Sequence, residues 1–232
     1  MTGGGTAMRL AVLAAAICAT FLLFALWPTL DLRVTALFYD PGNGFRTVDE
    51  GLANTLRLVI WRLSEALLAA ALLSLVIGLW TGGDVLALPR RLWGFIVLLY
   101  LLGPGLLVDV VVKPIWGRAR PADVEAFGGT LPFTPPHVIA EVCNRNCSFP
   151  AGEVAGAVAL AVSVWLILRH IIPGRTGGVY RTGVILCILV PLFTAFQRIA
   201  GGRHFLSDSL LSALFVLTIA VVLHAALFHR RP

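Results

Sequence analysis

Of the 18 basic residues in this chain, 17 are arginine, and the single lysine opens the stretch Lys113-Pro-Ile-Trp-Gly-Arg118-Ala-Arg120-Pro121. A lone lysine at the edge of a long apolar run is either placed for chemistry or left over in an arginine-rich composition. Two further groups weigh on that choice: Ser148-Phe-Pro150-Ala151-Gly152-Glu153, and Gln197-Arg198 followed by Arg203-His204-Phe-Leu-Ser207-Asp208. Together they carry what a site for a phosphate-like dianion needs. Lys113, Arg120 and Arg198, with Arg118 as a candidate fourth, supply cations. Arginine offers bidentate hydrogen bonds and lysine a compact point charge. The turn at Ala151 and Gly152 would add backbone N–H groups at the positive end of a helix. His204 and Asp208 are spaced i, i+4 and share a helical face, so the carboxylate can orient the imidazole as a nucleophile. A capped helix start with a solvated surface pair is the plainer reading of those two; the adjoining Arg198 and Arg203 and the two other clusters tip the balance toward a site.

Three clusters spread over about 100 residues need a scaffold to bring them together, and composition says which kind. The chain is 58% hydrophobic and only 13% charged, with a mean hydropathy of +0.89. That is too little polar surface for a water-soluble globule of 232 residues. The expected fold is an all-α polytopic membrane bundle of six transmembrane helices, in a single domain over residues 1–232. Its apolar runs have the length needed to cross about 30 Å of hydrocarbon. They fall near Leu10–Trp27, Val59–Trp80, Leu92–Val112, Gly152–Leu168, Val184–Phe196 and Phe205–Phe228. The first is long for a secretory leader and ends in Trp27-Pro28 without a clear cleavage site, so it is read as a retained span. Gly103-Pro104-Gly105 should kink the third.

Arginines mark the side retained in the cytoplasm. Arg9, Arg90-Arg91, Arg169, Arg175, Arg181 and Arg230-Arg231 all fall on one side of the bundle. Spans three and five then end at the opposite, outer face, and spans four and six begin there, which gathers the three clusters at one membrane surface. The net charge of +6 is mostly this topological signal, so it is weak evidence for a nucleic-acid partner, and none is expected. Cys18 and Cys187 lie inside apolar runs as packing residues. Cys143 and Cys147 share the outer loop, where a disulfide is favoured over a metal site, because C-x3-C without a second Cys/His pair is a poor zinc signature. Asp109, one turn before Lys113, either pairs with it or packs as a neutral carboxyl.

The clusters resemble the signature of the type 2 phosphatidic acid phosphatase (PAP2) superfamily, which reads K-x6-R-P, P-S-G-H and S-R-x5-H-x3-D. Lys113 to Arg120-Pro121 matches the first part, and Arg198, His204 and Asp208 match the third, so the signature covers about residues 113–208. The stretch from Leu30-Asp-Leu-Arg to Gly44-Phe45 also looks like the outer loop of bacterial lipid phosphatases of this family. The resemblance implies a lipid phosphatase of the bacterial inner membrane with its site facing the periplasm and no cofactor or metal. His204 would form a phosphohistidine, Asp208 would orient it, and Lys113, Arg120, Arg198, Gly152 and Ala151 would hold the phosphoryl oxygens. The second part departs from the pattern: Ala151 replaces the serine and Glu153 the general-acid histidine, and Gln197 stands where the third part has serine. Glu153 could still protonate a leaving oxygen. The substrate would be a lipid phosphate: lipid A 1-phosphate, toward which the pattern leans, a prenyl diphosphate or phosphatidylglycerol phosphate. A lipid phosphotransferase of the same fold and a catalytically silent phospholipid-binding protein are the rival readings.

Overall fold

In the computed structural model, which describes residues 3–45 and 50–228, six helical segments are long and apolar enough to cross a bilayer. The Arg230-Arg231 tail, used above to orient the chain, and residues 46–49 lie outside the described residues. Helix α1 (Gly3–Leu26) is followed by the short α2 (Thr29–Ala36) and a hairpin of β1 (Tyr39–Asp40) and β2 (Gly44–Phe45). Next come α3 (Gly51–Thr81), α4 (Arg90–Tyr100) and α5 (Lys113–Trp116). The last three are α6 (Gly152–Ile171), α7 (Gly178–Ala200) and α8 (Leu206–Phe228). The all-α bundle is therefore as expected, but several helices, α3 and α7 among them, are longer than their apolar runs. Helix α3 begins eight residues before Val59 and α7 six residues before Val184. A helix satisfies its own backbone wherever it runs, so it continues through the charged residues at the interface, where a count of apolar residues stops. At 31 residues, α3 is about 46 Å long, well beyond the hydrocarbon thickness. Its first turns, with Arg57, therefore project into the outer surface.

The third span does not break at Gly103-Pro104-Gly105. It changes winding instead: Leu101–Val112 is a π-helix with Pro104 inside it, continuous with α4 before it and α5 after it. The wider turn accommodates a residue that has no N–H to give to the preceding turn. The helix stops at Gly117, whose φ is +54°. A Cβ there would lie 2.9 Å from the backbone of Glu141. Without one, the Gly117 carbonyl accepts from the N–H groups of Val142 and Cys143, which folds the outer loop back over the end of α5. Cys143 and Cys147 in that loop are joined by a disulfide.

Helix α6 is the central post, packed by α3, α4, the π-helical segment, α7 and α8. Its buried small residues, Ala155, Gly156, Ala157, Ala159 and Ala161, let neighbouring backbones approach closely, which is how helices associate in lipid. Leu92, Ile96, Leu99, Val108, Val154, Val158 and Val216 fill the core around it. A second apolar cluster seals the outer face: Ala119, Val124, Phe127 and Phe205, flanked by Tyr39, Phe45 and Phe133. Gly202, in the turn before His204, has φ +63°, and a Cβ on it would reach within 2.5 Å of the Phe45 ring. Its bareness thus serves this aromatic cap.

Candidate active site

Backbone hydrogen bonds stitch the three clusters together at one end of the bundle. Ser148 N–H donates to the Arg118 carbonyl at 2.8 Å, tying the second cluster to the first. Arg203 and His204 N–H groups both donate to the Arg198 carbonyl, at 2.9 and 3.3 Å, which makes the tight reversal between α7 and α8. His204 is 4% exposed, and its Nδ1 lies 2.6 Å from the Ser148 carbonyl oxygen. A carbonyl can only accept, so the proton sits on Nδ1 and the lone pair on Nε2. Burial, and the nearby positive charges of Arg120 and Lys113, push the imidazole well below its ordinary pKa. The ring is neutral at pH 7, with Nε2 able to act as a nucleophile.

The expected hydrogen bond between His204 and Asp208 is not made: Nδ1 and the carboxylate are 4.0 Å apart. Asp208 is occupied elsewhere. It accepts from Ser148 Oγ at 2.5 Å and Phe205 N–H at 2.9 Å, and it is ion-paired to Arg118. Asp208 therefore acts on His204 at one remove, by fixing the Ser148 residue whose carbonyl holds the ring. Arg118, the candidate fourth phosphate cation, is 0% exposed. It donates to Thr134 O at 2.7 Å, Ser207 Oγ at 2.9 Å, Asp31 Oδ2 at 2.9 Å and Asp208, and its guanidinium lies 4.3 Å from the Phe205 ring centroid. All three of its nitrogens are engaged and the side chain is sealed from solvent, so it presents no face to a substrate. Asp31, which also accepts from Ser207 N–H and Oγ, escaped the sequence reading as a site residue. Its only signal was an acid in the Leu30-Asp-Leu-Arg stretch.

The other cations are less confined. Lys113 Nζ pairs with Asp109 at 2.7 Å, with the aspartate half exposed, which decides for the paired reading of Asp109. The same ammonium would stand 3.1 Å from a Cβ on Gly152, so the lysine lies against the first turn of α6. Arg120 Nη2 donates to Asn146 at 2.6 Å, while its buried Nε has no partner. Buried donors are nearly always satisfied, and one facing a cluster of cations calls for an anion. Arg198 is buried, its Nε on Gln197 Oε1 at 2.6 Å.

Residues 93–232 match the sequence profile of the PAP2 superfamily. The chain belongs to that superfamily. Over 143 residues it is 31% identical to a lipid A 4'-phosphatase of Francisella tularensis subsp. novicida, covering 61% of each chain. Over 128 residues it is 35% identical to a lipid A 4'-phosphatase of Rhizobium leguminosarum, covering 54% of this chain and 50% of the relative. The similarity thus spans between half and three-fifths of these curated relatives. The fold matches the crystal structure of a transmembrane PAP2 type phosphatidylglycerolphosphate phosphatase from Bacillus subtilis with a TM-score of 0.55 over 94% of both chains, at 14% identity.

Against the PAP2 pattern, the two replaced positions of its second part are both engaged. Ala151 is buried and gives its N–H to Ser212 Oγ at 2.7 Å, so it is not available as an anion donor in this arrangement. The first-turn N–H groups of α6 begin at Gly152, beside Lys113. Glu153 bridges two arginines, with Arg57 Nη1 3.2 Å from both of its oxygens and Arg198 Nη1 3.1 Å from Oε1. In this arrangement Glu153 accepts hydrogen bonds from both arginines. Arg57 was not foreseen as part of the site, because it reaches Glu153 from a helix outside the signature, 96 residues away in the chain.

Proposed function

We propose that this protein is a membrane lipid phosphatase that transfers a phosphate from a glycolipid headgroup to His204 and then to water. The observation that carries the reading is His204, buried and neutral, its Nδ1 pinned on the Ser148 carbonyl and its charge environment set by Arg120, Lys113 and Arg198. In the first step Nε2 attacks phosphorus, the N–P bond forms, and the P–O bond breaks with its electron pair on the leaving oxygen. Lys113, Arg120 and Arg198 hold the phosphoryl oxygens as charge shifts during transfer. Glu153 supplies the proton the leaving oxygen needs. When a dianion competes for Arg198, two negative groups meet at one guanidinium, and a proton taken up on Glu153 relieves the repulsion. In the second step Glu153, again a carboxylate, takes a proton from water as the water attacks phosphorus. The N–P electron pair then returns to Nε2.

Lipid presentation is supported by apolar grooves flanking α7. One, of about 450 Å³, is lined by α3, α6 and α7, including Leu67, Leu160 and Val190. The other, of about 310 Å³, runs along α7 and α8 and includes Phe38 and Phe196. The relatives' names support the 4'-phosphate of lipid A as the substrate over the 1-phosphate toward which the sequence pattern leans. A 4'-alkoxide is a poorer leaving group than an anomeric oxygen, which makes a proton from Glu153 the more necessary. The arginine distribution favours an inner-membrane protein with this site on the periplasmic side.

The test is phosphate release from 4'-phosphorylated and 1-phosphorylated lipid A by purified protein, with and without EDTA. EDTA-resistant release from the 4' position, lost in His204→Ala, is expected, and rapid quench with labelled lipid should trap an acid-labile phosphohistidine. Full activity in His204→Ala would sink the assignment. Glu153 already seated on Arg198 is the observation that favours the silent phospholipid-binding reading. If the native chain is inactive on every lipid and Glu153→His gains activity, that reading stands.

A further inference from the structure

At the end of the bundle away from His204, a cavity of about 230 Å³ opens between α1, α4, α6 and α8. Its lining is graded along each helix. On α6 it runs from Val162 to Arg169 and on α8 from Leu217 to His224, so in both helices the deepest residue is apolar and the outermost is basic. Seven residues of helix separate the two, a depth of about 10 Å. Arg9 of α1 adds a second guanidinium. No aspartate or glutamate lines the cavity, and among the described residues no carboxylate pairs with Arg9 or Arg169. Arg169 is not loose, since its guanidinium lies 4.7 Å from the Trp165 ring centroid.

We infer that this cavity is a binding site for an anionic phospholipid, its phosphodiester on Arg9 and Arg169 and part of an acyl chain in the apolar depth. Two guanidiniums at a membrane surface that no carboxylate among the described residues pairs with favour an anion. The apolar floor gives a free inorganic anion nothing to contact, whereas a hydrocarbon chain is matched to it. A zwitterionic headgroup would bring its own cation against the two arginines. The site is about 26 Å along α6 from Gly152, so occupancy and catalysis are separable.

The experiment uses the full chain in detergent, melted in the presence of phosphatidylglycerol, a phosphodiester that phosphomonoester hydrolysis does not consume. Phosphatidylcholine and inorganic phosphate are run beside it. Saturating phosphatidylglycerol should raise the melting temperature by about 2–4 °C or more, with no comparable shift from the other two. Arg9→Gln and Arg169→Gln should each weaken the apparent affinity about tenfold, the worth of one charge-assisted hydrogen bond. Leu217→Trp, which fills the depth and keeps both arginines, should weaken it as well. An equal shift with phosphatidylcholine, a shift with inorganic phosphate alone, or unchanged affinity in the double arginine variant would overturn the proposal. Arg169→Lys, which keeps the charge, should retain most of the binding and so separates lost affinity from lost folding. None of these readings depends on phosphate release, so the proposal can fail while the phosphatase reading holds, and the reverse.

Discussion

Arg118 and Arg120 stand two residues apart and carry the same guanidinium, yet they sit in different physical worlds. Arg118 is sealed between Asp31 and Asp208, and also donates to Ser207 and the Thr134 carbonyl. Arg120 has one side-chain partner, Asn146, and a buried Nε with none. In the first network every charge is paired and hydrogen-bonded, so it fixes the positions of Ser148, Ser207 and Asp208 and has nothing left to bind. In the second, Lys113 pairs with Asp109 and Arg198 with Glu153, and Arg120 keeps a buried Nε that no group among the described residues satisfies. Completeness of pairing, more than residue type, separates the frame of this site from its working surface.

The sharpest way to test that division is to remove the group both regions serve. His204→Ala should lower phosphate release by about 10³-fold or more while leaving the melting temperature near that of the native protein. Breaking the sealed network should do the converse. Arg118→Ala leaves two buried carboxylates without their cation, and a loss of about 3–5 kcal/mol of stability is expected, seen as poor yield and a lowered melting temperature. Arg120→Ala, two residues on, should melt almost normally and lose about 10²-fold in kcat. If Arg118→Ala were stable and inactive, or Arg120→Ala unfolded, the division would be wrong.

A smaller effect is expected at Arg57, which touches Glu153 and not the phosphate. With Arg57→Gln, Glu153 should grip Arg198 harder and compete better with substrate, raising KM about tenfold with little change in kcat. Least in size is the pH response of His204. Its pKa is lowered on folding by burial and by Arg120 and Lys113, so the native ring stays neutral below the ordinary value of about 6.5. The acid limb of kcat/KM assigned to this group should therefore lie below pH 6.5. Unfolded chains bind the proton first, so stability should fall as pH drops through that value, and His204→Gln should flatten the fall. An acid limb at or above pH 7, moved by His204 variants, would contradict the buried neutral ring.

The fold was legible in the sequence to the extent that hydrocarbon dictates it. Spans of about 20 apolar residues and an uneven arginine distribution leave few alternatives to a six-helix bundle, and the ends of those spans carry the motif residues. Helix ends were misjudged where backbone hydrogen bonding outlasts hydrophobicity, as at Gly51 and Gly178. A π-helix in place of a kink was beyond reach, because Pro104 reports only that an N–H is missing and not how the neighbouring turns adjust.

For the site, the sequence by itself determined which residues gather at one membrane face, since helix direction and loop length settle that. The partners they choose there were decided by the tertiary structure alone. The i, i+4 spacing of His204 and Asp208 allowed a hydrogen bond, but Arg118, Ser148 and the Phe205 N–H bind that carboxylate first. Arg118 looked equivalent to Arg120 until Asp31, 87 residues earlier in the chain, closed around it. Nothing in the sequence paired Glu153 with a cation, and the fold set Arg57 and Arg198 on its oxygens. Spacing along a helix fixes which groups can meet. When several charges compete for one carboxylate in a low-dielectric interior, long-range packing fixes which of them do.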